Sequence, residues 1–406
     1  MRILVLSNLY PPAVRGGYEV ECAGIVAFLR ERGDTVRVLT SREGASASDL
    51  GSEVVRALPL LKHPRVARLL APAAAALAAR TTRREIAQFD PDAVFVWNAA
   101  QLPHAAVDVI LSTGIPTIFR VCEQWFGGLF SDDRFMRRLS HTARPGVDPL
   151  AALARVINTL PPLRLDGKSA VPVAISWASE YLRATVSVPE RLDVVLERTI
   201  YPATDRDSEF ASVERRESSS PLIVFLGRLS SEKGCDVLIQ ACGLLADRGV
   251  SARLVVAGGG SRSDLSRLRQ VAETVGVADR CAFPGRLAIP EIRKLFAAGT
   301  VLAIPSTWNE PFGLVVIEGA LARIPVVASR VGGIPEILED GKEILLVPPA
   351  DPEALADAIA HTIDRPQDAR ERARRAYTRA RSLSWSSYAS STGAFVDDAL
   401  RALTRE

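Results

Sequence analysis

Residues 308–320 are Trp308-Asn309-Glu310-Pro311-Phe312-Gly313-Leu314-Val315-Val316-Ile317-Glu318-Gly319-Ala320, with Glu310 and Glu318 on either side of a Pro-Phe-Gly turn. The apolar run at 300–304 precedes this stretch and is typical of a buried strand in a parallel sheet. The turn therefore follows the carboxyl end of a strand and leads into the amino terminus of a helix. Free amide groups and the helix dipole favour a phosphate at such a point.

The spacing of the two carboxylates limits what they can do together. In a continuous helix, Glu310 and Glu318 would be separated by about 12 Å, whereas the carboxyl groups of a retaining glycosidase lie about 5 Å apart. We therefore expect them to contact opposite ends of one long ligand, such as a nucleotide sugar. The alternative is that one carboxylate only stabilises the start of the helix and the other is solvated.

Two further strand ends carry loops of the same kind. The strand predicted at 222–226 leads into Gly227-Arg228-Leu229-Ser230-Ser231-Glu232-Lys233-Gly234, which holds two cations between glycines, where a pyrophosphate would need them. The strand predicted at 326–329 is followed by Gly332-Gly333, which allow close approach of the backbone. Three such loops in one half of the chain predict a ligand site at the switch point of an open α/β sheet.

These motifs resemble those of glycosyltransferase family 4, the glycosyl transferases group 1. The matching segments are GRLSSEKG at 227–234, the Glu310 and Glu318 pair, GGIPE at 332–336, Gly258-Gly259-Gly260 and Phe283-Pro284-Gly285-Arg286-Leu287. Also similar are Tyr10-Pro11-Pro12, Gly16-Gly17, Glu19 and Ile200-Tyr201-Pro202, so that the resemblance covers both halves of the chain. It implies the GT-B fold, an α/β architecture in which two Rossmann-like parallel-sheet domains face each other across a cleft.

The resemblance also implies a chemistry. It is that of a metal-independent, retaining hexosyltransferase that needs no cofactor and takes its sugar from a UDP-sugar or GDP-sugar. The acceptor would be a hydroxyl on a glycan, a lipid-linked glycan or a small natural product. Arg228 and Lys233 would neutralise the departing diphosphate, Glu310 would accept hydrogen bonds from the sugar, and Glu318 would accept them from the ribose. The other donor-binding residues that it implies are Gly16, Gly17, Gly227, Arg286, Leu287, Phe312, Gly313 and Leu314, with Arg286 and Leu287 beside the base.

The sequence departs from the family close to the expected acceptor. Members commonly have His-Asp after the strand that spans 114–121 here, and this chain has Cys122-Glu123 instead. Glu123 is a further candidate catalytic residue, as the polar group that faces the acceptor; the alternative is that it caps the following turn. A non-catalytic nucleotide-sugar binder, or an epimerase or phosphorylase of the GT-B fold, is therefore an alternative to the transferase.

Length and the alternation of strands and helices predict two domains. The 406 residues exceed the size at which one core stops growing. We place an acceptor domain at 1–205 and a donor domain at 206–383, with the polar stretch 206–221 as a linker. A last helix at 384–406 would, as in the family, pack back on the first domain, after an arginine-rich helix at 366–381.

Composition argues against several other classes. Five cysteines without a C-x-x-C pair indicate reduced thiols in a cytoplasmic protein, and the four histidines show no metal-ligand spacing. Asp90-Pro91-Asp92 and Asp205-Arg206-Asp207 are interpreted as solvated turns rather than metal sites. The run at 258–260 does not complete a dinucleotide-binding fingerprint. A net charge of +3 does not predict a nucleic-acid partner, and the excess of arginine over lysine suggests a bacterial source.

The first domain offers two surfaces for an acceptor. Residues 62–84 combine cations with an apolar face, which favours peripheral contact with the inner face of an anionic membrane if the acceptor is lipid-linked. The alternative is an ordinary alanine-rich surface helix. The segment 126–168 is longer than a structural connection requires, so we expect a functional loop there. No apolar run approaches the roughly 18 residues that a membrane helix needs.

Overall fold

The computed structural model describes residues 1–44, 53–61, 64–129, 170–216 and 220–404, except for the side chains of 64–72. It contains two compact units. The first comprises Met1–Ala178, Leu182–Ile200 and Ala389–Glu406, and the second comprises Ser179–Tyr181 and Tyr201–Tyr388.

The first unit is built on a parallel sheet. Its strands are β1 (Arg2–Ser7), β2 (Thr35–Ser41), β3 (Val54–Leu58), β4 (Ala93–Asn98), β5 (Thr117–Val121), β6 (Val171–Trp177) and β7 (Leu192–Thr199). Their order in the sheet is β3-β2-β1-β4-β5-β6-β7, and each described pair is parallel. The connecting helices are α1 (Gly17–Glu31), α2 (Pro64–Phe89), α3 (Ala105–Ser112) and α4 (Glu180–Thr185), with a 3₁₀ turn at Gln124–Gly128.

Interior strands of this sheet are apolar and buried on both faces, which is the pattern of a parallel sheet with helices on both sides. A few buried polar residues interrupt this pattern, and among them Arg120 in β5 is a fully buried arginine in an interior strand.

The second unit has the strands β8 (Leu222–Leu226), β9 (Arg253–Ala257), β10 (Cys281–Gly285), β11 (Val301–Ile304), β12 (Val326–Ser329) and β13 (Leu345–Val347). They form a parallel sheet in the order β10-β9-β8-β11-β12-β13. Its helices are α5 (Asp207–Ala211), α6 (Cys235–Asp247), α7 (Arg262–Thr274), α8 (Ile289–Ala298), α9 (Leu314–Leu321), α10 (Ile334–Ile337), α11 (Pro352–Asp364), α12 (Pro366–Ala380) and α13 (Trp385–Thr404), and α13 continues from Ala389 into the first unit. Short 3₁₀ turns occur at Ser231–Lys233 and Ala278–Arg280.

Two apolar clusters cover the two faces of the second sheet. Val224 of β8 belongs to a cluster with Phe296 of α8, whereas its neighbour Phe225 belongs to the opposite cluster with Leu238 of α6. This alternation follows from the twofold period of a strand. Since both faces are covered, ligands can reach this sheet only at its ends.

The described part of the predicted linker 206–221, residues 206–216 and 220–221, belongs to the second unit. It contains α5, and Phe210 and Val213 are buried in the core cluster of the second unit. Phe210 packs against Phe296 with a ring-centroid distance of 5.8 Å. The prediction was wrong because these few apolar residues stand among many charged ones.

None of the helices in the described part of the chain has the length and apolarity that crossing a membrane requires. Helix α2 contains most of the predicted surface 62–84, but residues 62–63 and the side chains of 64–72 lie outside the described residues. Most of the predicted acceptor loop, from 130 onward, also lies outside them.

Candidate functional site

The second sheet has its switch point between β8 and β11. Chain connections run outward in opposite directions from this pair, because β9 lies on one side of β8 and β12 lies on the other side of β11. The loops after β8 and β11 therefore diverge and leave a crevice at the carboxyl ends of the strands, the usual ligand position in such sheets. These two loops are the segments 227–234 and 305–313.

Lys233 and Glu310 join these loops at the switch point. The Lys233 Nζ lies 2.5 Å from Glu310 Oε1, although the two residues are 77 positions apart. Ser306 at the end of β11 donates its hydroxyl to the same carboxylate oxygen at 2.6 Å. The Lys233 ammonium also lies 5.1 Å from the centroid of the Trp308 ring. A cation and a carboxylate are therefore held side by side, both largely shielded from solvent.

Backbone contacts fix the position of this pair. Thr307 N donates to Glu232 O at 2.9 Å, and Gly333 N donates to Glu310 O at 2.8 Å. Gly332 has a φ of +54°, and a Cβ there would lie 1.9 Å from the carbonyl oxygen of Glu310. The loop after β12 thus lies directly against the loop that carries Glu310, which explains why glycine occurs there.

Gly234 gives a quantitative test of this packing. Its φ is +66°, and an added Cβ would lie 1.9 Å from the carbonyl oxygen of Pro305. Gly276 is a matched control, because its φ is +71° and nothing lies within 4 Å of an added Cβ. We expect Gly276→Ala to lower the free energy of unfolding by about 1 kcal/mol through backbone strain alone. Gly234→Ala should lower it by roughly 1–3 kcal/mol more, because overpacking is added to the strain.

Chemical denaturation of both variants would measure this difference. Equal losses of stability would show that the two loops can separate at no cost, and would contradict a rigid site.

The amino terminus of α9 faces the same crevice. Gly313 is the N-cap with a φ of +115°, and as a glycine it has no side chain that could cap the helix. The first amides of a helix have no acceptor within it. Phe312 is buried and stacks on Tyr201 at 5.4 Å between ring centroids, which anchors the turn. The amides of Phe312, Gly313 and Leu314, predicted as phosphate donors, therefore lie on an anchored turn next to Glu310.

Glu318 lies one turn into α9. Its side chain keeps some contact with solvent, yet desolvation raises the pKa of its carboxyl to about 7. The nearby charge of Arg206 opposes this shift and that of Asp205 adds to it. Glu310, in contrast, precedes the helix, so the two carboxylates are not on one continuous helix.

The remaining predicted donor residues lie at the ends of β8 and β10. Gly227 donates its amide to Ala257 O at 3.0 Å, and Arg228 forms an exposed ion pair with Glu232 at 2.9 Å. Arg286 follows β10, and its Nε would lie 2.5 Å from a Cβ on Gly259, so its side chain lies against that glycine. Leu287 packs against the core of the second unit. The second unit thus places every donor residue predicted within it at the carboxyl ends of its strands or in the first turns of α9.

The first unit brings together a second group of predicted residues. Gly16 and Gly17 are exposed at the start of α1, and Gly16 donates its amide to the buried carboxylate of Glu19 at 2.8 Å. Glu123 occupies the N-cap position of the 3₁₀ turn, but its side chain makes no capping hydrogen bond. Burial and, after it, the charge of Glu123 raise the pKa of Tyr18 well above its usual value.

Tyr18 is therefore near Glu123, at the carboxyl ends of the strands of the first sheet, and no sequence motif singled it out. The same is true of Ser306 and Trp308 in the second unit. Ser306 could have been recognised, since it follows the predicted strand after Pro305 and is four residues before Glu310. A signal for Tyr18 is its position directly after Gly16-Gly17.

Arg120, three residues before Glu123, is the centre of a hydrogen-bond network at the ends of β5, β6 and β7. Its guanidinium donates to Glu21 Oε1 at 3.0 Å, to Ser176 Oγ at 2.9 Å and to the Ile200 carbonyl at 2.9 Å. Both Arg120 and Glu21 are buried. Within the described residues, no cluster of three or more histidine, cysteine or carboxylate side chains could hold a metal ion.

Comparisons with known proteins agree with this arrangement. The family model of the glycosyl transferases group 1 matches residues 206–381, which contain the donor motifs of the second unit. A D-inositol 3-phosphate glycosyltransferase of Mycobacterium avium (strain 104) is 31% identical over 300 residues, which cover 69% of this chain and 68% of that protein. Matches to several other curated relatives are shorter, and the chain spans 53% of the length of one and 39% of another.

Solved structures share the architecture. Sucrose-phosphate synthase from Thermosynechococcus elongatus superimposes with a TM-score of 0.72 at 20% identity, over 99% of both chains. Alr3699/HepE of Anabaena, in complex with UDP and glucose, gives a TM-score of 0.64 at 20% identity, over 98% of this chain and 99% of that chain. The fold is therefore GT-B. The chain belongs to the glycosyl transferases group 1, which is glycosyltransferase family 4.

Proposed function

We propose that this protein is a glycosyltransferase whose donor is a nucleoside-diphosphate sugar. The observation that carries the proposal is the Lys233–Glu310 pair at the switch point of the second sheet, beside the uncapped start of α9. The cation and the helix end suit a diphosphate, and the carboxylate suits sugar hydroxyls. The names of the relatives as glycosyltransferases, and the UDP and glucose in the HepE structure, support the same donor class.

The reaction would transfer the sugar with retention of its anomeric configuration. The bond from the anomeric carbon to the diphosphate breaks, the acceptor oxygen forms a bond to that carbon on the same face, and the proton of the acceptor hydroxyl passes to the departing diphosphate. Negative charge grows on the departing diphosphate, so Arg228, Lys233 and the amides of Gly313 and Leu314 stabilise the transition state more than the ground state. Glu310 orients the sugar through its hydroxyls. We propose that no metal ion is needed.

The nucleoside would lie along α9 and the end of β10. Glu318 would accept hydrogen bonds from the ribose, with Arg286 and Leu287 beside the base. The UDP in the HepE structure makes uridine the first nucleoside to test, with guanosine as the alternative.

We propose that the first unit recognises the acceptor, with Glu123 and Tyr18 near its hydroxyl. The acceptor class would be a glycan, a lipid-linked glycan or a small molecule. D-inositol 3-phosphate is a suitable first candidate because of the relatives' names. Contact of 62–84 with a membrane surface would accompany a lipid-linked acceptor.

The test is release of nucleoside diphosphate. A thermal-shift panel of UDP-sugars and GDP-sugars would first select the donor. We expect nucleoside diphosphate to be released only when an acceptor is also present. Donor binding without release on a broad acceptor panel would favour a non-catalytic binder, and conversion of the donor to an isomeric sugar nucleotide would favour an epimerase.

Chelation should leave this reaction unchanged. We expect turnover in about 5 mM EDTA to remain within about twofold of the untreated value. The reason is that the charge of the diphosphate is assigned to Arg228, Lys233 and a helix end rather than to a metal ion. Loss of turnover that added magnesium or manganese restores would refute metal independence.

The raised pKa of Glu318 predicts a pH-dependent affinity for the nucleoside diphosphate. An ionised carboxylate accepts two hydrogen bonds from a ribose diol, whereas the protonated form must donate one. With a pKa of about 7, most Glu318 side chains are protonated at pH 6 and ionised at pH 8. We therefore expect the affinity to rise up to about tenfold from pH 6 to pH 8.

Glu318→Gln is the matched control, since glutamine has the same shape but does not titrate. Protonation of the diphosphate itself affects both proteins equally, so the ratio of their dissociation constants isolates Glu318. A ratio that is constant between pH 6 and pH 8 would contradict the ribose contact.

A further inference from the structure

A cavity that the proposed reaction does not use lies at the amino ends of the strands of the second sheet. Its volume is about 590 Å³, and it lies beside Pro221, Thr300 and Pro325. These residues precede β8, β11 and β12, so the cavity is at the amino ends of the strands, whereas the donor loops are at the carboxyl ends. Five arginines line it: Arg215, Arg216, Arg323, Arg370 and Arg374.

The described side chains that line this cavity carry charge of one sign. Among the described residues that line it, none is acidic. Glu371, which does not line the cavity, accepts a hydrogen bond from Arg374 at 2.9 Å. It also accepts one from Arg375, so that its negative charge is shared between two arginines. Burial and, after it, the positive charge of Arg370 lower the pKa of Arg215 to about 10. Since the guanidinium still stays charged at neutral pH, like charges repel each other there.

Two of these arginines are held in place before any ligand arrives. Arg215 donates to the carbonyl oxygens of Phe296 and Gly299 at the end of α8. Arg323 donates to Ala211 O at 3.0 Å, and its guanidinium carbon lies 3.7 Å from the centroid of the Tyr377 ring. Fixed guanidinium groups lose little entropy when they bind an anion.

The backbone of Arg323 is also unusual. Its φ is +54°, in the left-handed region, just after the C-cap of α9. Arg323 N donates to Ala320 O at 3.0 Å and Ile324 N to Gly319 O at 3.1 Å, which is the helix-ending motif where glycine is the usual residue. An arginine at this position strains the backbone, and its guanidinium adds a positive charge to the cavity.

We propose that this cavity binds a small soluble anion that carries at least two phosphoryl groups, such as a bisphosphate. Its volume falls in the range of small-molecule sites, and arginine matches phosphate oxygens through paired hydrogen bonds. This site is separate from the donor site and does not depend on the proposed transfer reaction.

Isothermal titration with inorganic pyrophosphate, at about 0.15 M salt to screen weak surface binding, tests the proposal. We expect two classes of site in the wild-type protein. Arg370→Ala/Arg374→Ala should weaken one class at least about tenfold, whereas Lys233→Ala should affect the other. Arg375→Ala is the matched control, because Arg375 also binds Glu371 on α12 but does not line the cavity.

A second variant, Arg323→Gly, removes a guanidinium at a position whose backbone suits glycine, and it should weaken the same class of site. Three results would overturn the proposal: a single pyrophosphate site that Lys233→Ala abolishes, no effect of the double variant, or an equal effect of Arg375→Ala. Binding of phosphatidylglycerol vesicles that needs these arginines, without pyrophosphate binding, would assign the cavity to a lipid headgroup and also overturn it.

Discussion

Lys233→Ala is expected to lower turnover at least about a hundredfold while the fold stays intact. The ammonium of Lys233 is placed in advance at the switch point by Glu310 and the Trp308 ring, so it costs no reorganisation when charge grows on the diphosphate. Loss of one such preorganised group typically lowers kcat by a factor of about 100 to 1,000. The measurement is the steady-state rate of nucleoside diphosphate release.

Arg228→Ala should also lower the rate, since its exposed guanidinium, which pairs with Glu232 at 2.9 Å, is assigned to the same leaving group. Lys342→Ala is the matched control: Lys342 is an exposed lysine of the same unit that pairs with Glu339, and we expect its removal to leave the rate unchanged. Rates within threefold of wild type for both Lys233→Ala and Arg228→Ala would refute their assignment to the leaving group.

Arg120→Met is expected to have the largest effect on stability. The change takes the Arg120 guanidinium away from the buried carboxylate of Glu21 and removes the donor from Ser176 Oγ and the Ile200 carbonyl. Breaking a buried ion pair by removing one partner costs about 3–5 kcal/mol. Because the protein has two units, hydrogen exchange of the β5 and β6 amides should measure the loss locally.

Two comparisons identify the cause of this loss. Arg183→Met breaks an exposed pair with Glu197 in the same unit, and should cost about 1 kcal/mol or less. Adding Glu21→Gln to Arg120→Met removes the stranded charge and should recover at least about 1 kcal/mol. If the double variant is no more stable than Arg120→Met, the cost comes from packing and not from the charge of Glu21.

The donor loops could be predicted from the sequence because each one directly follows an apolar strand. The run at 300–304 gives β11, and the motif that follows it contains Glu310, the Gly313 N-cap and Glu318 in that order. A pattern of this kind can be recognised in a sequence window of about twenty residues. They place these residues at one edge of the sheet without any knowledge of its strand order.

Contacts between distant segments could not be predicted in this way. Lys233 and Glu310 were assigned to different parts of the donor, and only the fold shows that they bind each other across 77 positions. No local pattern in the sequence indicates the role of Arg120, because its acceptors come from 56 to 99 positions away. The burial of Phe210 could not be predicted for a different reason, since one aromatic residue among charged neighbours gives no periodic signal.

The path of the chain through the two units has a consequence for protein engineering. Apart from Ser179–Tyr181, the second unit is one continuous insert, Tyr201–Tyr388, whereas the first unit is closed by the end of α13. Arg32 donates to Gly393 O at 3.0 Å, and Arg198 pairs with Asp398 at 3.0 Å. A chimera made by one crossover near residue 200 would separate these partners. A chimera that exchanges donor specificity should therefore use two crossovers, one after Ile200 and one before Ala389, so that the host keeps its own terminal helix.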